Sequence, residues 1–357
     1  MTSSDDAPSV RNARAAAAAA RFSAIRIPHG PQNALVTGLD GLRLEALETR
    51  RQRAASGLKL PMPVCSTIAE LGVGKTIGAE RLEKMHTPTD PDDLRRPVII
   101  ATLDTTGQQI SIPQAILVAL KKRNATHASK PALAWERARK ALLEHDVQLI
   151  VFDEMNRAAR RPTMGEVIGG DLMDLLRDGE AGIAFLGTTE AKKVFNRVPA
   201  LKDRMKSPVV MKPLEWYDGD ERADFVGFLD ELDEAMLERG LVTAKAGLAD
   251  YIGDELDRDG HQQDVSDDDL GDGDGRGRNE DDDANGSDGK DTAKLLWEVC
   301  RGRLRPLCLL IDEAVRLIHY DNEDLVITHD VLAQAVENHS RENEIVSYNP
   351  FKGENPA

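Results

Sequence analysis

One short stretch, residues 69–76, constrains the fold of this chain more than any other part of its sequence. It reads Ala-Glu-Leu-Gly-Val-Gly-Lys-Thr, follows an apolar run at 62–68 and precedes a helical pattern at 77–85. A glycine-containing turn between a buried strand and a helix is typical of a P-loop, in which backbone N–H groups surround phosphate groups. The stretch therefore predicts an α/β domain that binds nucleotides.

The side chains of this loop match the chemistry of a bound nucleoside triphosphate. Lys75 would reach the β- and γ-phosphates, and the hydroxyl of Thr76 would ligate Mg²⁺. Ala69 replaces the first glycine of the motif, and we expect it to alter the loop geometry without abolishing function. The predicted nucleotide-binding residues of the loop are Glu70, Leu71, Gly72, Val73, Gly74, Lys75, Thr76 and Ile77.

Two adjacent acidic residues follow another apolar run of the sequence. Asp153 and Glu154 come directly after residues 147–152. At the carboxyl end of a strand, Asp153 suits a Mg²⁺ contact through water. Glu154 suits a general base that polarises the attacking water. Together with the P-loop earlier in the chain, the pair predicts an ATPase with ATP and Mg²⁺ as its ligands.

Three further residues are candidates for the same site. Thr188 directly follows the apolar run at 182–187 and could orient the attacking water, although a simple helix N-cap at this position is the alternative interpretation. Arg204 precedes the last apolar run and could enter a neighbouring subunit's site as an arginine finger, or it could be an ordinary surface residue. Arg305, or Arg303 beside it, could contact the nucleotide within the same chain, or could lie in a solvated turn.

The spacing of apolar runs predicts the fold class. Continuous apolar runs that alternate with helical patterns indicate a five-stranded parallel sheet with flanking helices, as in P-loop α/β proteins. The runs lie at 62–68, 97–103, 147–152, 182–187 and 208–211. Only helical patterns follow, at 219–239, 244–256, 292–301, 306–320 and 328–339, and they predict an all-α C-terminal lid domain.

The chain divides further by its charge. It carries −16 overall, but residues 254–291 hold 16 Asp or Glu against 4 Lys or Arg, so most of the excess lies in one segment. This segment has too few apolar residues to fold and predicts a disordered insertion. The acidic average is therefore no strong argument against nucleic-acid binding. The predicted division is a flexible arm at 1–24, the α/β core at 25–215, the lid at 216–253 and 292–343, the acidic insertion at 254–291 and a tail at 344–357.

Two features of the composition predict the location of the chain. Its three cysteines, Cys65, Cys300 and Cys308, form no C-x-x-C pair, which fits a reducing cytosol rather than a disulfide framework. No apolar run approaches the roughly 20 residues that a membrane-spanning helix needs. We therefore expect a cytoplasmic protein without a membrane span.

Taken together, these motifs resemble those of AAA+ ATPases and, more narrowly, those of the TniB/TnsC-type transposition proteins. The resemblance covers about 22–339 without the insertion. It is carried by IRIPHGPQ at 25–32, AELGVGKTIGAERL at 69–82, VQLIVFDEMNRAARRP at 147–162, GIAFLGTTEAKKVFNRVPALKDRMKSPVVMKPLEW at 182–216 and GRLRPLCLLIDEAVRLI at 302–318.

The resemblance implies a regulator rather than a strand-cutting enzyme. Such proteins bind ATP, assemble as rings or helical filaments on double-stranded DNA and recruit a transposase to target sites. It thus implies a homo-oligomer whose partners are DNA, a transposase and a target-selection protein. At matching positions, Lys75 and Thr76 would hold the phosphates and Mg²⁺, Asp153 and Glu154 would act in hydrolysis, and Arg204 would be the inter-subunit finger.

Contacts with DNA are less specific in the sequence. Arg157, Arg160 and Arg161 follow Glu154, where a loop could face a central channel and meet phosphates. The alternative is that these arginines only solvate a loop. The acidic insertion, by repelling phosphate, could limit DNA binding.

Two other functional classes stay open from the sequence. One is a signalling or replication-initiator-like AAA+ switch that acts through protein partners. The other is a scaffold that binds ATP without useful turnover, against which Glu154 argues and in whose favour Ala69 argues.

Overall fold

The computed structural model describes residues 8–102, 112–123, 125, 131–159, 169–170, 172–177, 179, 181–251, 291–321 and 324–354. The chain forms two compact units. The core unit consists of Pro28–Glu215 and Arg303–Pro306, and the helical unit consists of Met1–Ile27, Trp216–Gly302 and Leu307–Ala357.

Helices and strands alternate through the core unit, as predicted. In chain order the elements of both units together are α1 (Pro8–Phe22), α2 (Gly30–Ser56), β1 (Val64–Ile68), α3 (Lys75–His86), β2 (Val98–Thr102), α4 (Ile112–Ala119), α5 (Pro131–Glu144), β3 (Leu149–Asp153), α6 (Asn156–Ala159), β4 (Gly182–Gly187), α7 (Lys192–Arg197), α8 (Pro199–Lys202), α9 (Gly219–Glu238), α10 (Thr292–Cys300), α11 (Leu304–Asp321) and α12 (His329–Ala335).

The four strands form one parallel sheet in the order β1-β4-β3-β2. Both faces of the sheet are covered by apolar side chains of helices. One face packs against a cluster that includes Leu35 of α2 and Leu82 of α3. The other packs against a cluster that includes Ile116 of α4 and Ala138 of α5. Strands covered on both faces explain the continuous apolar runs of the sequence and confirm the predicted α/β class.

The predicted fifth strand at 208–211 is wrong. Only Met205 pairs with β1, through an isolated parallel bridge to Val64, and the Lys206 N–H donates to the Val64 carbonyl at 2.8 Å. Pro208 then lacks the N–H that a further ladder bond would need, and Val210 is 70% exposed. Within the described residues the sheet therefore has four strands rather than five.

Helix α2 is absent from the sequence-based predictions, although it is 27 residues long. It packs closely on α3 because Gly78 lies at their contact. A Cβ built on Gly78 would be 2.9 Å from Cδ2 of Leu35 and 3.2 Å from Cγ of Gln32. The first turns of α2 thereby lie against the first turns of the P-loop helix.

The helical unit includes α1, which falls within the predicted flexible arm at 1–24. Ala15, Ala18 and Ala19 of this helix are buried. The Arg14 guanidinium donates to the carbonyls of His319 and Tyr320, at 2.6 and 3.2 Å, near the end of α11. These contacts hold α1 within the helical unit.

The predicted helix at 244–256 is wrong for residues 244–251, which form turns and irregular backbone. Gly247 has a left-handed backbone with φ +68°. The buried Asp233 carboxylate accepts the N–H groups of Ala246 and Leu248, at 2.8 and 3.2 Å. In a helix these N–H groups would donate to backbone carbonyls, but here they donate to the side chain of Asp233. Nearly all of the acidic insertion, 254–290, lies outside the described residues.

None of the described helices combines the length and the apolar character that are needed to cross a membrane.

Candidate nucleotide site

The P-loop connects β1 to α3 at the carboxyl edge of the sheet. The Ala69 N–H donates to the Gly187 carbonyl at 3.1 Å, which continues the pairing of β1 with β4 into the loop. Gly72 and Gly74 have left-handed backbones, with φ +87° and +88°. Only glycine adopts this conformation at little cost, so these two glycines allow the turn that leads into α3.

Ala69, the departure from the glycine pattern, is buried and packs in the cluster between the sheet and α2–α3. It is not among the described residues with positive φ. A Cβ therefore fits at this position without backbone strain.

Lys75 is the buried cation of the site, with 9% of its surface exposed. Its Nζ donates to the carbonyls of Ala69 and Glu70, at 3.0 and 2.6 Å, so the ammonium lies across the loop. Burial lowers the pKa of Lys75 from its ordinary value, and nearby carboxylates, first that of Asp153, oppose this shift. An ammonium held at the glycine-containing turn suits a phosphate anion.

Asp153 and Thr76 meet where β3 ends beside α3. The Thr76 hydroxyl donates to Oδ2 of Asp153 at 2.7 Å, and Oδ1 of Asp153 accepts the Glu154 N–H at 2.7 Å. Hydroxyl and carboxylate oxygens are the hard ligands that Mg²⁺ prefers, and Mg²⁺ usually takes one or two carboxylates together with phosphate and water oxygens. The pair fits this ligand set. Among the described residues, no group of three or more His, Cys, Asp or Glu is arranged so that it could hold a metal ion by itself.

Glu154 follows in a left-handed backbone conformation, with φ +57°. Its Oε2 accepts Nδ2 of Asn156 at 3.1 Å and lies 3.5 Å from Nε of Arg157. The Thr188 N–H donates to Oδ1 of Asn156 at 3.4 Å. The Met155 N–H donates to the Leu186 carbonyl at 3.0 Å, which fixes this segment beside the end of β4.

The structure places most of the predicted site residues together at the carboxyl edge of the sheet. Thr188 occupies the N-cap position of a 3₁₀ turn at Thr189–Ala191, but its side chain makes no capping hydrogen bond. The Arg305 N–H donates to the Gly72 carbonyl at 3.1 Å within the core unit. Arg204 is exposed after α8, and in the described part of the chain its guanidinium forms no ion pair. Arg160 and Arg161 lie outside the described residues.

His29 and Gln32 are parts of this region that the sequence-based predictions missed. His29 is the N-cap of α2, where its Nδ1 accepts the Gln32 N–H at 3.4 Å. A Cβ built on Gly74 would lie 3.1 Å from Nε2 of His29 and 3.3 Å from Nε2 of Gln32. Burial lowers the pKa of His29 to about 4, which favours the neutral, cap-forming imidazole. The signal was present, since Pro31 in the first turn is a helix-start residue.

Comparisons with known proteins agree with this geometry. Residues 44–214 match the family model described as the bacterial TniB protein. No curated protein sequence matches the chain. Among solved structures, the Aeropyrum pernix ORC2 protein, in ADPNP-ADP complexes, is similar with a TM-score of 0.53 and 13% identity, over 91% of this chain and 73% of that one. The Aeropyrum pernix ORC1 protein in complex with DNA has a TM-score of 0.49 and 13% identity, over 88% and 67%.

The ORC2 likeness supports the fold alone, because the identity is low. The TniB match is more specific, since its range includes the P-loop, the Asp153–Glu154 pair and Thr188. The predicted resemblance to the TniB family is therefore confirmed over residues 44–214.

Proposed function

We propose that this protein binds ATP with Mg²⁺ and hydrolyses it. The observation that carries the proposal is the hydrogen bond between Thr76 and Asp153, which brings the P-loop helix and the acidic strand end together at 2.7 Å. Lys75 lies buried in the loop beside them. The residues that P-loop ATPases use for phosphate, metal and water are thus adjacent in this chain.

In the proposed mechanism, the N–H groups of the loop and of the first turn of α3 bind the phosphates, and Lys75 binds the β- and γ-phosphates. Thr76 and Asp153 would hold Mg²⁺, which neutralises developing phosphate charge when bound. Glu154 accepts a proton from water while the water oxygen bonds to the γ-phosphorus and the bond to the bridging oxygen breaks. ADP and phosphate are the products. Thr188 orients the water.

Two arginines complete the proposal. Arg305 contacts the nucleotide from within the chain, which is supported by its backbone hydrogen bond to Gly72. Arg204 is exposed and unpaired among the described residues, as an arginine finger for a neighbouring subunit would be. The helical unit then acts as the lid, and the protein forms a homo-oligomer with composite sites.

The match of residues 44–214 to the TniB family model supports the biological part of the proposal. We infer that the oligomer assembles on double-stranded DNA and recruits a transposase, with a target-selection protein as a further partner. Arg157 is half-exposed beside Glu154 and can meet a phosphate. The alternative is a signalling or replication-initiator-like switch, which would use the same ATP site but bind protein partners instead of DNA.

Nucleotide binding and turnover by three variants test the ATPase. Lys75→Ala should lose nucleotide affinity. Glu154→Gln should bind ATP normally, but its rate of hydrolysis should fall by at least about a hundredfold. Lys84→Ala is the matched control, because Lys84 is an exposed lysine of the same helix. The proposal is wrong if Lys75→Ala and Lys84→Ala bind and hydrolyse ATP equally well.

A further inference from the structure

Asn156 is a buried polar residue between two parts of the candidate site. It is the first residue of α6 and is 7% exposed. Its Nδ2 donates to Oε2 of Glu154 at 3.1 Å, and its Oδ1 accepts the Thr188 N–H at 3.4 Å. One amide therefore connects the proposed general base with the proposed water-orienting residue.

The orientation of this amide is fixed by its partners. The Thr188 N–H can only donate, so it requires the oxygen of the Asn156 amide. The NH₂ group then faces the Glu154 carboxylate, which accepts. A bridging amide satisfies both neighbours in one orientation only, so a flipped amide would lose both hydrogen bonds.

The surroundings leave room for Asn156 in this position. A Cβ built on Gly187 would lie 3.4 Å from both the N and the Oδ1 of Asn156, and 2.9 Å from Cβ of Ala191. A Cβ at the end of β4 would therefore clash with Ala191 and be in van der Waals contact with the amide. Arg157 also approaches Glu154, but at 3.5 Å and with 37% of its side chain exposed. Such an exposed ion pair contributes little. The hydrogen bond from Asn156 is therefore the stronger of these two contacts with the Glu154 carboxylate.

We propose that Asn156 is a positioning residue that couples Glu154 to Thr188 and sets the place of the attacking water. Asn156 acts through Glu154 and makes no contact with nucleotide. The inference rests on the proposed ATPase activity. It requires that the amide affect turnover without affecting nucleotide affinity.

Two substitutions separate this role from simple structural support. Asn156→Ala removes both hydrogen bonds. Asn156→Asp has the same shape and keeps an acceptor for the Thr188 N–H, but it loses the donor to Glu154. Both should lower kcat by at least about tenfold and change KM and nucleotide Kd by less than about threefold. The control is Asn196→Ala, an exposed asparagine of α7 whose side chain accepts a surface hydrogen bond from Lys202 at 3.3 Å.

A double-substitution cycle measures whether Asn156 acts through the carboxylate. In single-turnover assays, Asn156→Ala should slow the wild-type protein but should have no further effect in a Glu154→Gln background. An equal fold-loss in both backgrounds would overturn the inference, as would wild-type turnover by Asn156→Asp. A loss of nucleotide affinity in both Asn156 variants, with a lowered Tm, would show plain structural support and would also overturn it.

The same assays keep the two proposals apart. A wild-type rate no higher than that of Lys75→Ala would contradict the proposed ATPase itself. A wild-type rate well above Lys75→Ala, together with full activity of the Asn156 variants, would contradict only the role of Asn156.

Discussion

At the scale of single residues, Ala69 shows how far this P-loop departs from the usual glycine pattern. The side chain is buried in the cluster beneath the loop, and its backbone is not in the left-handed region. The methyl group therefore contributes to packing without straining the turn. Its effect on turnover should be small.

Ala69→Gly should lower the free energy of unfolding by about 1 kcal/mol, because a buried methyl group is lost and the unfolded chain gains freedom. ATP turnover should stay within about twofold. Gly41→Ala is the opposite control, since a Cβ on this helical glycine would meet nothing within 4 Å, and it should stabilise the protein. Urea unfolding and steady-state ATPase rates measure both. A several-fold rise in turnover for Ala69→Gly would show that the methyl group restrains the loop.

Local motifs in the sequence were sufficient to predict which residues come together at the carboxyl edge of the sheet, and the catalytic roles of these residues stay predictions. Lys75, Thr76, Asp153 and Glu154 each follow directly from a strand and a short pattern. Asn156 could not be predicted, because its role depends on the distance between the end of β3 and the end of β4. No pattern within a single segment gives that distance.

At the scale of elements, α2 and the region after β4 show where pattern-based predictions fail. Helix α2 contains Gly38 and Gly41 and was missed, yet it is stabilised by packing of Leu35 and Leu39 against α3 and the sheet. The apolar run at 208–211 looked like a strand, but a strand also needs a partner edge and free N–H groups. Pro208 interrupts the ladder after the single bridge at Met205. Tertiary packing decided the first case, whereas the second depended on a proline within the predicted strand.

The start of α2 has a predicted pH dependence through His29. The pKa of His29 is about 4 in the folded protein, against 6.5 ordinarily. Between these values the unfolded chain binds a proton that the folded chain does not, so stability decreases as the pH falls from 6.5 to 4. The loss is at most about 3 kcal/mol. Above pH 6.5 this residue adds no pH dependence.

His29→Asn isolates this effect, because asparagine is a good N-cap and does not titrate. The free energy of unfolding should fall more steeply for the wild type than for His29→Asn between pH 6.5 and pH 4. At pH 8 the two proteins should differ by less than about 1 kcal/mol. Parallel stability curves over this range would contradict the buried, neutral state of His29.

At the scale of the whole molecule, the account needs more than one copy of the chain. Each proposed site uses Lys75 and Glu154 of one subunit and Arg204 of the next. The sequence supported this arrangement only through the family resemblance, since one exposed arginine is no signal by itself. A mixing experiment with two variants therefore tests most directly whether sites form between subunits.

Arg204→Ala and Lys75→Ala should each be inactive alone. In an equal mixture, the intact Arg204 of one variant can meet the intact P-loop of the other, so random assembly should restore about a quarter of the wild-type ATPase rate. Arg197→Ala, an exposed arginine on α7, is the control and should be active alone. A mixture no more active than its separate components would place Arg204 outside the neighbouring site.

The central proposal is that the protein binds ATP and assembles on double-stranded DNA, and we expect nucleotide binding to control binding to the duplex. Fluorescence anisotropy of a labelled duplex tests it most directly, without nucleotide, with ATP and Mg²⁺, and with a slowly hydrolysed analogue, at several salt concentrations. The account predicts binding only with nucleotide, a steep loss of affinity as salt rises, and no binding by Lys75→Ala. Nucleotide binding without any affinity for DNA would contradict it and would favour a switch that acts through protein partners.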